Sequence, residues 1–177
     1  NINFDKCSGL INENKDVDGF TKENVYNLYL NKKSILPCTV KGIIKLLDSY
    51  NIELSGKDVV IIGRGNIVGK PLAMALENRN ATVSLLHSKT KDMIKYTKSA
   101  DIVVVACGVP KLIKSNMIKQ GAVVIDVGIS RTDTGIIGDV DFESVKDVAS
   151  FVTPNPGGVG PMTVAMIIDN LIEMSEV

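Results

Sequence analysis

Tryptophan is absent from this 177-residue chain, and aromatic residues make up only 5% of it. That argues against a surface of stacked aromatics for reading nucleobases. Net charge is absent too. The 20 Lys and Arg balance the 20 Asp and Glu, so nothing points to nucleic acid or to an anionic membrane. Histidine occurs once, and the three cysteines, Cys7, Cys38 and Cys107, are widely spaced. Without a Cys-x-x-Cys pair or a histidine cluster, neither a disulfide framework nor a metal site is expected, and a reducing, cytoplasmic compartment fits. No apolar run is long enough to span a membrane, and no signal peptide opens the sequence. The first residue is not methionine, so the expectation is a processed product or a piece of a longer chain.

What is present is a strong alternation of apolar runs and helical patterns. Hydrophobic residues make up 45% of the chain, enough for a substantial core. After a polar stretch over 1–36, Val40, Ile43, Ile44, Leu46 and Leu47 follow a helical spacing, with Thr39 as the expected N-cap. Strands are predicted at 59–62, 82–86, 102–106 and 122–127, with a short one near 150–152. Helices are predicted at 67–78, 90–99 and 115–119. A last helix is predicted over 161–174, with Met162, Ala165, Ile167 or Ile168, and Ile172 on one face. Continuous apolar strands separated by helices predict an α/β fold, a Rossmann-type doubly wound parallel sheet with an arm at each end.

Three segments carry chemistry. Gly63, Gly65 and Gly69 follow the run Val59–Ile62 directly and open a helix, as G-x-G-x-x-x-G. Glycines there let the backbone approach a phosphate, and the free N–H groups of a helix start face the anion. Taken alone the spacing also suits a plain tight turn. The end of the second strand adds information. NAD sites usually carry a carboxylate about 20 residues after the glycines, to hold the ribose 2′-hydroxyl. Here the strand ends in His87-Ser88-Lys89-Thr90. With no carboxylate to repel a 2′-phosphate, and Arg64 and Ser88 available to bind one, the expected cofactor is NADP. His87 stands beside that phosphate, and a supporting role suits it better than that of a general base. The other two segments are 15–20, with Asp16 and Asp18 before Gly19, and the stiff Pro/Gly loop 153–163. Each also suits a simple turn or connector.

Together these segments resemble the bifunctional methylenetetrahydrofolate dehydrogenase/methenyltetrahydrofolate cyclohydrolase family. The resemblance runs from residue 11 to the C-terminus through KDVDGF (15–20), PCT (37–39), GRGNIVGKP (63–71), ATV (81–83), HSKT (87–90), AD (100–101), GAVVIDVGI (121–129), GDV (138–140) and TPNPGGVGPMT (153–163). It implies an NADP-dependent oxidation of 5,10-methylenetetrahydrofolate, followed by hydrolysis to 10-formyltetrahydrofolate, in a homodimeric full-length enzyme with a folate substrate and no nucleic-acid or membrane partner. It implies that Asp18 orients the folate as the catalytic-site carboxylate, and that Gly63, Arg64, Gly65, Ser88, Ile129 and Thr39 line the cofactor. Pro156, Gly157, Gly158, Val159 and Gly160 would border the folate pocket.

Three positions depart from the family pattern, which usually has serine at Gly65, proline at Val40 and valine at Asn155. The larger departure is a preceding domain. The family carries a tyrosine and a catalytic lysine before KDVDG, and neither is in this sequence. The expected organisation is therefore a remnant or linker over 1–38, an NADP-binding domain over 39–155, and a folate-side loop with a C-terminal helix over 156–177 that packs toward a missing domain. Such a fragment is expected to bind NADP(H) but to be inactive alone. The alternatives are a non-catalytic dinucleotide-binding module and a two-domain oxidoreductase of shikimate-dehydrogenase type.

Overall fold

The structure, a computed structural model, describes residues 7–133 and 135–175. The start of the predicted N-terminal remnant and the last two residues of the C-terminal arm lie outside the described residues.

The centre is a five-stranded parallel sheet in the order β2-β1-β3-β4-β7. Its strands are β1 (Asp58–Ile62), β2 (Thr82–Leu86), β3 (Ile102–Val105), β4 (Val123–Asp126) and β7 (Phe151–Val152). A two-stranded antiparallel ribbon, β5 (Ser130–Thr132) and β6 (Gly135–Ile137), follows β4. The predicted strands are present; β1, β3 and β4, covered on both faces, are apolar at nearly every position, whereas the edge strand β2 carries Thr82 and Ser84 and is only partly buried. In β1 and β3 the two residue sets separate cleanly. Val59, Ile61, Ile102 and Val104 enter one core, and Val60, Ile62, Val103 and Val105 enter the other.

The α-helices lying wholly within the described residues are α1 (Lys22–Tyr29), α2 (Cys38–Ser49), α3 (Gly69–Glu77), α4 (Met93–Thr97), α5 (Phe142–Val145) and α6 (Val159–Ser175). From α3, Leu72 and Leu76 are fully buried, each contributing about 1.5–3 kcal/mol of apolar burial. α6 packs along α2, where Lys41 lies between Asp169 (2.6 Å) and Glu173 (2.8 Å) and also donates to Asn170 Oδ1 at 2.7 Å. No helix among the described residues is long and apolar enough to cross a membrane.

The structure corrects several local expectations. Thr39 is not an N-cap. α2 already begins at Cys38, and the Thr39 hydroxyl pairs instead with that of Thr163 at 3.1 Å. α3 starts two residues later than expected, after a turn through Asn66, Ile67 and Val68. α4 is shorter than 90–99 because the Asp92 carboxylate accepts from Lys95 N and caps the helix there. The segment 115–119 forms only a 3₁₀ turn, Ser115–Met117. α1 lies in the stretch read as polar, and α5 and the β5–β6 ribbon were not predicted. The face assigned to the last helix points mostly outward: Ile168 and Ile172 are more than half exposed and Ala165 is exposed, while Met162 is half-buried. The packed face carries Val159, Met166 and Asn170.

Candidate functional site

The sheet order reverses direction between β1 and β3, and ligands of open α/β sheets bind in the crevice at such a point. The backbone leaves β1 through Gly63, whose N–H donates to Leu86 O at 2.9 Å and whose φ is +115°. A Cβ on Gly69 would lie 1.9 Å from Gly63 O, so α3 starts in direct contact with the turn. This close fit aims the start of α3 at the crevice, as an anion site requires. Gly65 is different. Nothing lies within 4 Å of the place its Cβ would occupy.

Arg64 and Ser88 are both exposed at this mouth, on the loops that follow the paired ends Ile62 and Leu86. Among the described residues neither side chain has a hydrogen-bond or ion-pair partner, and both remain available to a ligand. His87 is occupied locally: its N–H donates to Thr90 Oγ1, and its Nδ1 accepts from Lys89 N. That closes the loop carrying Ser88 and makes His87 a structural neighbour. No carboxylate stands on this stretch.

The other half of the crevice is formed by the ends of β3 and β4. Ile129 is exposed there, directly after Gly128. Two buried carboxylates hold these ends. Asp126 accepts from Gly128 N, Asp139 N and Val140 N at 3.1, 2.9 and 3.1 Å. Asp139 accepts from Cys107 N and Gly108 N, both at 2.8 Å. Burial raises the Asp126 carboxyl above its ordinary range, with Asp139 adding to the effect. Burial, and then the Asp139 charge, push the Cys107 thiol up to about 11. Cys38 is likewise pushed to about 11 by burial and by its hydrogen bond to Asp18. Neither thiol is a nucleophilic thiolate at neutral pH.

The 15–20 segment separates its two carboxylates by role. Asp16 is buried and accepts from Phe20 N, Thr21 N and Asn24 Nδ2 at 3.1, 2.7 and 2.8 Å. Burial opposes its charge, but these hydrogen bonds outweigh that and hold its pKa below 3.8. Asp18 is half-buried and faces the Cys38 thiol at 3.3 Å. Asn170 of α6 donates to Val17 O and Leu36 O, at 2.7 and 3.0 Å. This anchors the segment to the helix that follows the Pro/Gly loop. In that loop, Pro156, Gly157 and Gly160 are exposed and Gly158 is half-buried, whereas the Val159 side chain is in the core, leaving only its backbone to a ligand.

Residues 37–177 match the family described as Tetrahydrofolate dehydrogenase/cyclohydrolase, NAD(P)-binding domain. The chain belongs to the tetrahydrofolate dehydrogenase/cyclohydrolase family. The Bifunctional protein FolD of Hydrogenobaculum sp. (strain Y04AAS1) is 54% identical over 174 residues, covering 97% of this chain and 63% of that protein. The solved FolD methylenetetrahydrofolate dehydrogenase/cyclohydrolase of Campylobacter jejuni has a TM-score of 0.96 at 50% identity, covering 99% of this chain and 63% of that one. The Trypanosoma brucei FolD, solved with NADP cofactor and inhibitor, has a TM-score of 0.91 at 38% identity, covering 97% and 61%. Shikimate dehydrogenase of Aquifex aeolicus, at 16% identity and a TM-score of 0.60, shares the fold alone. The chain spans 53–63% of the length of the curated relatives it matches.

In this member of the tetrahydrofolate dehydrogenase/cyclohydrolase family, the crevice therefore gathers Gly63, Arg64, Gly65 and Ser88 on one side and Ile129 on the other. Thr39, tied to Thr163, and Asp18, tied to Cys38, stand by α2 and α6. Sequence reasoning gave no role to Lys41, Asp126, Asp139 or Asn170. One signal was available for Asn170: a polar amide inside Ile167-Ile168-Asp169-Asn170-Leu171-Ile172 sits where an apolar residue is expected.

Proposed function

We propose that this chain is the NADP-binding part of a bifunctional enzyme that oxidises 5,10-methylenetetrahydrofolate and hydrolyses the product to 10-formyltetrahydrofolate. The observation that carries the reading is the unpaired Arg64 and Ser88 beside Gly63, at a strand end without a carboxylate. A guanidinium and a hydroxyl suit a 2′-phosphate, and nothing there suits a free 2′-hydroxyl. The crevice fits the cofactor physically. Gly65, with no atom within 4 Å of its Cβ position, leaves room for backbone approach, and the start of α3 faces the phosphates.

Bound there, NADP⁺ would supply the hydride acceptor for oxidation of the one-carbon bridge of the folate. The chain's own residues bind and align. Gly63, Arg64, Gly65 and Ser88 hold the adenosine and phosphate half, while Ile129 and Thr39 border the nicotinamide half. Asp18 and the Pro156–Gly160 loop face the folate. The hydrolytic step needs a general acid and base, which this reading assigns to a lysine-bearing domain preceding residue 1. The exposed apolar face of α6 supports docking against that domain, with 1–38 as the remnant or linker, 39–155 as the cofactor unit and 156–177 as the folate-side arm. The whole enzyme is read as a cytoplasmic homodimer. The chain by itself binds cofactor and turns over little folate.

Calorimetric titration with NADPH and with NADH tests the reading. Clear preference for NADPH is the expected result. Preference for NADH removes Arg64 and Ser88 from the 2′-phosphate, and rapid folate oxidation by the chain alone overturns its reading as an inactive part.

A further inference from the structure

Ile129 ends a chain of contacts that the phosphate cradle does not need. After Asp126 the backbone runs through Val127 and Gly128 without regular structure, and three side chains fix it. Asp126 accepts from Gly128 N at 3.1 Å. The Asp139 carboxyl lies flat against Gly128, where a Cβ would be only 2.0 Å from Asp139 Cγ. Its Oδ2 meanwhile grips Cys107 N and Gly108 N at the end of β3. Asn155, from the loop before α6, donates its Nδ2 to Gly128 O. The ends of β3 and β4 and the Pro/Gly loop are thus braced at one glycine. The brace carries an unpaired group: Asp139 Oδ1 is buried without a hydrogen-bond partner among the described residues. An unpaired buried oxygen is costly, and the fold retains it in the one place where the carboxyl also clamps Gly128.

We infer that Asp139 and Asn155 are positioning residues that set the Gly128–Ile129 backbone for the nicotinamide half of the cofactor. The inference rests on the cofactor reading above. In a switch-point crevice the adenosine half lies toward β2, beside Arg64 and Ser88. The ends of β3 and β4 are left for the nicotinamide half. Neither Asp139 nor Asn155 hydrogen-bonds the 63–65 turn. Asp139 does hold Cys107 N, next to the Ala106 carbonyl that abuts Gly63, so Asn155, whose bond goes to Gly128 O, is the more selective probe of the nicotinamide half.

The test uses the full chain, its Asp139→Asn and Asn155→Val variants, and two ligands: NADP⁺ and 2′-phospho-ADP-ribose, which lacks nicotinamide. Valine suits the extended backbone of a residue before proline and removes the donor. Asn155 is only half-buried, so this variant keeps the test valid where Asp139→Asn fails to fold. Each folded variant is expected to bind 2′-phospho-ADP-ribose as the parent chain does and NADP⁺ about three- to tenfold more weakly, the loss of one hydrogen bond. Equal weakening of both ligands, or none for NADP⁺, overturns the brace while leaving the cofactor reading intact. A parent chain that binds neither ligand overturns both.

Discussion

A side-chain carbon on Gly63 would lie 2.1 Å from the carbonyl oxygen of Ala106. The first glycine of the crevice is therefore fixed by β3, its neighbour in the sheet, as well as by a φ of +115° that L-residues rarely adopt. Gly63→Ala is expected to cost about 2–4 kcal/mol of stability through overlap and backbone strain. It should also abolish NADPH binding. Urea unfolding and calorimetry read the two effects, and unchanged stability would show that β3 yields at this point.

Gly65 offers the opposite case. No atom stands within 4 Å of its Cβ position, and its φ lies outside the left-handed region. Gly65→Ser is expected to fold normally and to tighten NADPH by up to about tenfold, since the hydroxyl adds one hydrogen bond to a phosphate. Weaker binding would mean that the turn needs glycine for another reason.

Arg64→Ala separates the two cofactors. A charge-assisted hydrogen bond contributes about 1.5–3 kcal/mol, so NADPH affinity should fall about ten- to 150-fold while NADH affinity stays within about twofold. Parallel loss for both cofactors would place Arg64 on the shared pyrophosphate.

Lys41 reports on the α2–α6 contact. Its side chain is largely buried while Asp169 and Glu173 remain partly in water. Burial works to lower its pKa, yet the hydrogen bonds it donates to Asp169 and Glu173 leave it raised. Lys41→Met is expected to cost about 1–3 kcal/mol, discounted for the solvent around the two carboxylates. Its stabilising effect should be complete below 10.5 and fade as pH rises through the elevated folded value. A melting temperature equal to the parent's would make the cluster a neutral surface feature.

Asp16 has the reverse sign. Its folded pKa is lowered, so its stabilisation is present above 3.8 and lost as pH falls through the folded value. Asp16→Asn should cost about 1–3 kcal/mol at neutral pH, because the backbone and Asn24 donors lose an ionised acceptor. The difference from the parent chain should close in strong acid. A difference independent of pH would assign the loss to shape rather than charge.

The sequence alone determined the parallel sheet and the phosphate turn, and the reason is local. Strands buried on both faces are written as unbroken runs such as Val59–Ile62 and Ile102–Val105. A turn that presses on a neighbouring strand and helix is written as Gly63 and Gly69. Arg64 and Ser88 could be placed at the crevice mouth in the same way, since each lies two residues past a paired strand end, Ile62 or Leu86. Tertiary structure decided what each polar side chain does. Asp16 and Asp18 differ by two positions, yet one is a buried turn clamp and the other faces Cys38. Thr39 has the composition of an N-cap, but a threonine 124 positions away takes its hydroxyl. The last helix is apolar nearly all round, so its period could not say which face Asn170 and Lys41 would draw inward. Asp126, Asp139 and Asn155 meet only because β3, β4 and the loop before α6 end at the same edge of the sheet. That convergence is a property of the strand order, which no local pattern carries.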